Sequence, residues 1–423
     1  MIIMEYPEVF KECNKLFPYI SWGNNNTDQF KQRRLTFGVD SDALSFIDEN
    51  ILKFNDCVNI IWESEDKSVY YLPRKDIEQF IIKVLKEIHT TNELTTKNNP
   101  ELYEQWNKFL SIKMKCYYVA FPIYGVIVPK VTQFGVFRIF NNLDYKKFLL
   151  ENNVIPEETV VKTSLIKNEL NYLLLEVKAK APQRAIELSI PNFELFEYAV
   201  KFLLHDNRHI DVGIFHYNER NITEGIAFEK DRHNLGVLAG SFITKGALQE
   251  INILELFSQN MNFFWDILSR YINGNTTEME NRLINAVRWV GKANNDDSNI
   301  TQYVQYVFAL EALLAYKPEK TFITPSTSFQ LAEYAAFIVG ETANENIITK
   351  TALRKKIFYD VKKIYHIRSQ IVHGNELTLN KDAVVTAREL IYQVIYSVMS
   401  NNTILKFNSI KELSKWIENL KFT

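Results

Sequence analysis

The chain has 423 residues, 46% of them hydrophobic and 24% charged, with a net charge of −2. Such a composition belongs to a globular protein long enough for two or three domains, and it excludes binding of nucleic acid by overall charge. Any polyanion would have to be held by a local patch. The three cysteines, Cys13, Cys57 and Cys116, are far apart and show no metal-ligand spacing, as expected in a reducing cytoplasm. The first residues lack the basic and apolar blocks of a secretion signal. The longest apolar run, Tyr117 to Val128, is interrupted by Pro122 and falls well short of the ~20 residues of a spanning helix. A soluble, cytoplasmic protein that does not engage a membrane is expected.

In chain order, Val58–Trp62 and Val69–Leu72 read as short strands. Pro73 closes the second, and Asp76 is an acidic N-cap candidate. It precedes an amphipathic helix marked by Ile77, Phe80, Ile81, Val84, Leu85 and Ile88. From Cys116 to about Phe242 the texture is that of strands: Tyr117–Phe121, Val126–Val128, Val136–Phe140, Leu170–Lys178, Ile210–Phe215, Gly225–Phe228 and Val237–Phe242. One amphipathic helix, Phe193 to Leu204, interrupts them after Pro191. Beyond Gly246 helices dominate, over 247–272, 278–294, 299–316, 327–339, 346–373, 382–400 and 409–421. Thr277-x-x-Glu280 and Ser409-x-x-Glu412 have the pattern of capping boxes. Asn294-Asn-Asp-Asp-Ser and Lys317-Pro-Glu-Lys read as turns between helices. The fold class expected is α+β. A mixed region over 1–245, with a further break near 110, precedes an all-α bundle over 246–423.

The most informative stretch lies in the fifth of these helices, 346–373. Ile357, Val361, Ile364, Arg368 and Ile371 follow a 4-3-4-3 spacing, so Arg368 stands on an apolar stripe. A guanidinium keeps its proton, so there it requires a partner, solvent or a shared cleft. His373 sits in the last turn before Gly374, a left-handed C′ candidate. Five helical steps place Arg368 and His373 about 140° apart. Both can serve one site only if something else, such as a second copy of the helix, wraps the helix end. The blander arrangement is an arginine paired with a neighbouring helix and a histidine capping the last carbonyls. Upstream, Arg354, Lys355, Lys356, Lys362 and Lys363 form a cationic run suited either to a phosphate backbone or to a solvated face. Histidine can move a proton and arginine can stabilise charge on a phosphate, which together would serve internal attack of an RNA 2′-hydroxyl without a metal. Ser369 and Tyr365 adjoin the pair, Tyr365 with core packing as its alternative role. Glu311, within Ala309-Leu-Glu-Ala-Leu-Leu314, is a carboxylate among apolar residues and a candidate partner for Arg368, positional or purely structural.

Arg368-Ser-Gln-Ile-Val-His373-Gly resembles the Arg-x4-His motif of HEPN ribonucleases. The surrounding Tyr365-x-x-Arg-Ser-x-x-Val-His-Gly, the helix Phe308-Ala-Leu-Glu-Ala-Leu-Leu314 and the helix Arg282-Leu-Ile-Asn-Ala-Val-Arg-Trp289 resemble the Apea-like group of that family over roughly residues 247–400. The resemblance implies a homodimer whose motifs converge on one cleft, with metal-independent endoribonuclease activity in prokaryotic anti-phage defence or a toxin system. Arg368, His373, Ser369 and Glu311 would be its catalytic set. Lys355, Lys356, Lys362, Lys363 and Tyr365 would contact RNA, and residues 1–245 would sense a phage-derived or host trigger or restrain the nuclease. The chain departs from the family pattern at Ser369, where many active members carry Asn, Asp or His. The alternative expectation is a non-catalytic dimerisation module that binds RNA, nucleotide or protein.

Weaker signals are assigned no chemistry. His205-Asp-Asn-Arg-His209 with Asp211 has metal-ligand spacing, but it straddles a helix-to-strand turn and lacks the glutamate base of a zincin. Asp40, Asp42 and Asp48 read as turn and cap residues. With no Gly-x-Gly-x-x-Gly, P-loop or Gly-x-Ser-x-Gly pattern, no cofactor is expected.

Overall fold

The computed structural model describes residues 6–22, 34–37, 43–64, 69–91, 100–152, 154, 170–205, 211–217, 220–221, 225–229, 235–238, 250–254, 262–316, 326–343, 347–374 and 379–422. The class is α+β, with antiparallel sheets ahead of a helical region.

Helix α1 (Tyr6–Leu16), strands β1 (Ser21–Trp22), β2 (Arg34–Phe37) and β3 (Leu44–Ile47), and helices α2 (Glu49–Trp62), α3 (Arg74–Thr91) and α4 (Pro100–Ser111) enclose a first core. The strands form a small antiparallel sheet in the order β1-β3-β2. The strand expected at Val58–Trp62 is instead the end of α2. Phe54, Cys57, Val58 and Ile61 are its buried residues, and their 3-1-3 spacing is that of a helix. Val69–Leu72 forms a turn closed by Leu72 N donating to Val69 O, rather than a strand. Asp76 is not an N-cap. It lies in the first turn of α3, which begins at Arg74.

Next come β4 (Lys115–Ile123), β5 (Val126–Ile127), β6 (Thr132–Phe134), β7 (Phe137–Phe140), α5 (Asn142–Glu151), β8 (Asn171–Ala179), α6 (Pro182–Leu203), β9 (Gly225–Glu229), β10 (Leu235–Leu238) and β11 (Ile251–Asn252). Six strands form one antiparallel sheet in the order β10-β9-β4-β8-β7-β6. Alternation along β4 separates its two faces: Val119, Phe121 and Ile123 enter the main core, while Tyr118 and Ala120 enter a smaller one beneath α5.

Helix α6 begins about ten residues before its expected start. Pro182 holds the first position and Pro191 lies inside. The apolar run at 210–215 is not a strand within its described residues. Glu197, buried in α6, accepts hydrogen bonds from Ile214 N (2.9 Å) and Phe215 N (2.7 Å), which replaces a ladder with a side chain. The strand expected at Val237–Phe242 is observed as β10, and residues 239–242 lie outside the described set.

The last part comprises α7 (Asn262–Ile272), α8 (Glu278–Asn294), α9 (Asn299–Leu314), α10 (Thr327–Thr342), α11 (Ile347–Val372), α12 (Lys381–Ser400) and α13 (Ile410–Lys421). The helix expected over 247–272 is described only from Asn262, with Ile251–Asn252 paired in parallel to β5. Thr277 and Glu280 form the reciprocal capping box at α8. Ser409 makes no side-chain cap, and Glu412 accepts instead from Asn408 N. The turn expected at Lys317 falls outside the described residues.

Sheet and bundle share one core, running from Tyr117 to Ile417. Helices α6 and α8 cross at Gly291, where an added Cβ would lie 2.5 Å from both the Cα and the carbonyl oxygen of Tyr198. Close by, Asn294 Nδ2 donates to Lys201 O (3.1 Å) and to the Tyr392 hydroxyl (3.0 Å), and Asn294 Oδ1 accepts from the Tyr306 hydroxyl (2.7 Å). The Tyr392 hydroxyl donates in turn to Phe202 O (3.1 Å). Among the described residues, no helix is long and apolar enough to cross a membrane.

Candidate functional site

Helix α11 lies on the outside of the bundle and packs chiefly on α10. Ile357, Val361 and Ile364 are buried and Ile371 packs against the core, so the apolar stripe runs inward with Arg368 on it. The Tyr303 hydroxyl of α9 donates to Ile364 O at 3.1 Å and ties the helix down one turn before the arginine.

Arg368 meets Glu311 of α9. Its Nη2 lies 3.3 Å from Oε1 and 3.4 Å from Oε2, with both side chains about one-fifth exposed. The guanidinium carbon stands 5.3 Å from the Phe308 ring centre and 5.6 Å from that of Tyr365, so the cation is within reach of two aromatic rings as well as paired. Arg368 Nε is buried without a hydrogen-bond partner among the described residues. Burial pushes the Glu311 carboxyl above its ordinary range, against the pull of Arg368 and of a hydrogen bond with Tyr365. Burial likewise raises the Tyr365 hydroxyl, which bonds both Glu311 and Thr327 at the start of α10. Burial at this position therefore disfavours the charged form of Glu311, and Arg368 and Tyr365 offset that only in part.

His373 is exposed beyond the end of α11, and its N donates to Ser369 O at 3.1 Å. Gly374 has φ +81°, the left-handed residue that stops the helix, and its N donates to Ile371 O. Ser369 is half-buried. Within one chain Arg368 turns inward and His373 outward, as their ~140° separation requires.

The cationic run divides. Arg354 turns in to pair with Glu341 and lies 4.4 Å from the Phe337 ring centre. Gly340 makes room for it, since a Cβ there would meet Arg354 Cγ at 2.6 Å. Lys355, Lys356, Lys362 and Lys363 are exposed and form no ion pair among the described residues. Tyr365 faces Glu311 rather than the lysines. Sequence reasoning gave no role to Phe308 or Thr327, although Phe308 lies three residues before Glu311 and so on its face of α9.

Of the weaker signals, His205 Nε2 lies 3.6 Å from Glu389 Oε2, and residues 206–209 are outside the described set. Among the described residues no three His, Cys, Asp or Glu side chains are grouped as metal ligands. Asp48 precedes α2 at φ +49° without capping it, and Asp40 and Asp42 are outside the described set.

No family model, curated protein or solved structure matches the chain.

Proposed function

We propose that this protein is a metal-independent endoribonuclease of the HEPN kind, acting in the cytoplasm in defence or as a toxin. The observation that carries the reading is the end of α11: an arginine fixed by Glu311, an exposed histidine five residues on, and exposed lysines upstream. Only Nη2 of Arg368 is engaged among the described residues, which leaves Nη1 for a phosphate oxygen. His373 takes the proton from a ribose 2′-hydroxyl. The 2′-oxygen bonds to phosphorus, the bond to the 5′-oxygen breaks, and that oxygen takes up a proton. A 2′,3′-cyclic phosphate and a 5′-hydroxyl result. Because Arg368 and His373 face different sides of one helix, a homodimer brings the arginine of one copy to the histidine of the other, and its two histidines divide the base and acid roles. Ser369 and Glu311 position the pair, and the preceding α+β region restrains the site until a trigger arrives.

The same divergence favours a second reading, in which the helical region only dimerises or binds and the Arg368–Glu311 pair is structural. Purified protein incubated with RNA in chelator decides between them. Cleavage lost in both His373→Ala and Arg368→Ala supports the nuclease, whereas equal product from all three proteins removes it. Activity that chelator abolishes points to a metal nuclease. A dimer that binds RNA without cutting it leaves the binding module.

A further inference from the structure

The face of α11 opposite Arg368 carries its own pattern. Ile348, Ala352, Lys355, Tyr359, Lys362, His366, Ser369 and His373 follow a 4-3-4-3-4-3-4 spacing, which traces a second stripe. All of these but Ser369, which is half-buried, are exposed. This stripe lies about 170° around the axis from the buried one and extends about 27 Å from Lys355 to His373. We infer that it is a binding track for a single-stranded polyanion, with Tyr359 as a base-stacking platform between Lys355 and Lys362 and with His366 and His373 at the end where cleavage occurs. That the polyanion is RNA rests on the nuclease reading; the track itself rests on the geometry.

Three observations favour a single strand. First, charge: α11 carries seven Lys and Arg against one carboxylate, Asp360, in a chain of net charge −2. Asp360 is half-buried and about 130° from the track. Second, Tyr359 is 66% exposed while its ring meets Phe358 edge-on at 5.6 Å, and Phe358 packs on Phe329 at 5.3 Å. The tyrosine is thus an exposed aromatic ring braced from behind, offering a flat face to an unpaired base, and every base can use it. A duplex keeps its base faces stacked and has no use for such a ring. Third, aromatic and cation alternate at one-turn intervals, so a strand on the helix meets a cation on both sides of a stacked base. A second copy of the helix laid along Lys355–Lys362 would bring like charges together, so in the proposed dimer the partner meets the His373 end and leaves the lysine segment to the strand.

The test uses the full chain and a 2′-O-methylated RNA, which binds but has no free 2′-hydroxyl to attack. Fluorescence anisotropy compares a single strand with its duplex, with polyglutamate as competitor. Tyr359→Ala is expected to weaken single-strand binding about tenfold, and Tyr359→Phe to restore it. Lys355→Gln with Lys362→Gln should lower the slope of log affinity against log salt by about 1.4, because two phosphates are no longer neutralised. The substituted positions are all exposed, and thermal melts check that the variants fold. Unchanged affinity in Tyr359→Ala, equal affinity for duplex, equal competition by polyglutamate, or no binding at all overturns the track. The two readings fail separately. His373-dependent cleavage with Tyr359→Ala binding like wild type removes the track alone. Binding with the expected signature but no cleavage of unmodified RNA removes the nuclease alone.

Discussion

Replacing Gly291 by alanine sets two effects of opposite sign against each other. Alanine is the better helix former, and in a helix interior the exchange gains about 1 kcal/mol. The added Cβ, however, would lie 2.5 Å from Tyr198 Cα and 2.5 Å from its carbonyl oxygen. Carbon atoms in contact are comfortable near 3.5–4.0 Å, so helices α6 and α8 would have to separate by roughly 1 Å. Both atoms belong to the main chain, so no rotamer change relieves the clash. That movement would loosen the buried Val287 and Val290 of α8 and Ala199 and Val200 of α6 and stretch the hydrogen bond from Asn294 to Lys201 O. Overpacking of this kind costs about 1–3 kcal/mol and occasionally more. A net loss of about 1 kcal/mol is expected, read as a lower urea midpoint in fluorescence-detected unfolding. A Gly291→Ala protein as stable as the parent, or more stable, would refute the close crossing.

The Glu311 carboxyl, raised above its ordinary 4.5 by burial, makes a signed prediction about pH. Below about pH 4.5 it is protonated whether folded or not and costs nothing. As pH rises through its folded pKa, the fold must carry the charge and loses stability. Urea midpoints at pH 4.5 and 7 should therefore shift in favour of Glu311→Gln as pH rises; a shift the other way would sink the argument. At the start of α8, Thr277→Ala removes the acceptor for Glu280 N (3.2 Å) and should cost about 1 kcal/mol. An unchanged thermal midpoint would mean that the box contributes nothing.

The Arg368–Glu311 pair was legible from two directions. A guanidinium stood on one apolar stripe and a carboxylate on another, and each required a partner. The orientation of His373 was legible as an angle, but whether anything covers it was not, because that depends on neighbours the period cannot name. The strand at Val58–Trp62 failed because a short β-branched run looks alike in either state, and the deciding residue, Phe54, lay just upstream of it. The run at 210–215 failed for a different reason. Its apolar side chains belong to the core, but the amides of Ile214 and Phe215 are satisfied by Glu197, seventeen and eighteen residues away, which leaves no local trace. Pro191 misled because proline favours a helix start, and the real start already had a proline at 182.

The cluster around Asn294 has one further consequence. A helix leaves its last carbonyls without i+4 partners of its own; at the end of α6 Lys201 O accepts from Asn294, and Phe202 O, which also accepts from His205 N in the closing turn, accepts from Tyr392. The bundle thus supplies the C-terminal cap of the helix that backs the sheet. Fraying of the last turn of α6 would strand two donors inside the bundle, and loosening of the bundle would strip two donors from α6. Each loss costs more than the bond itself is worth. Sheet and bundle therefore hold a helix end in common, and α6 and the helices that cap it should melt as one cooperative unit.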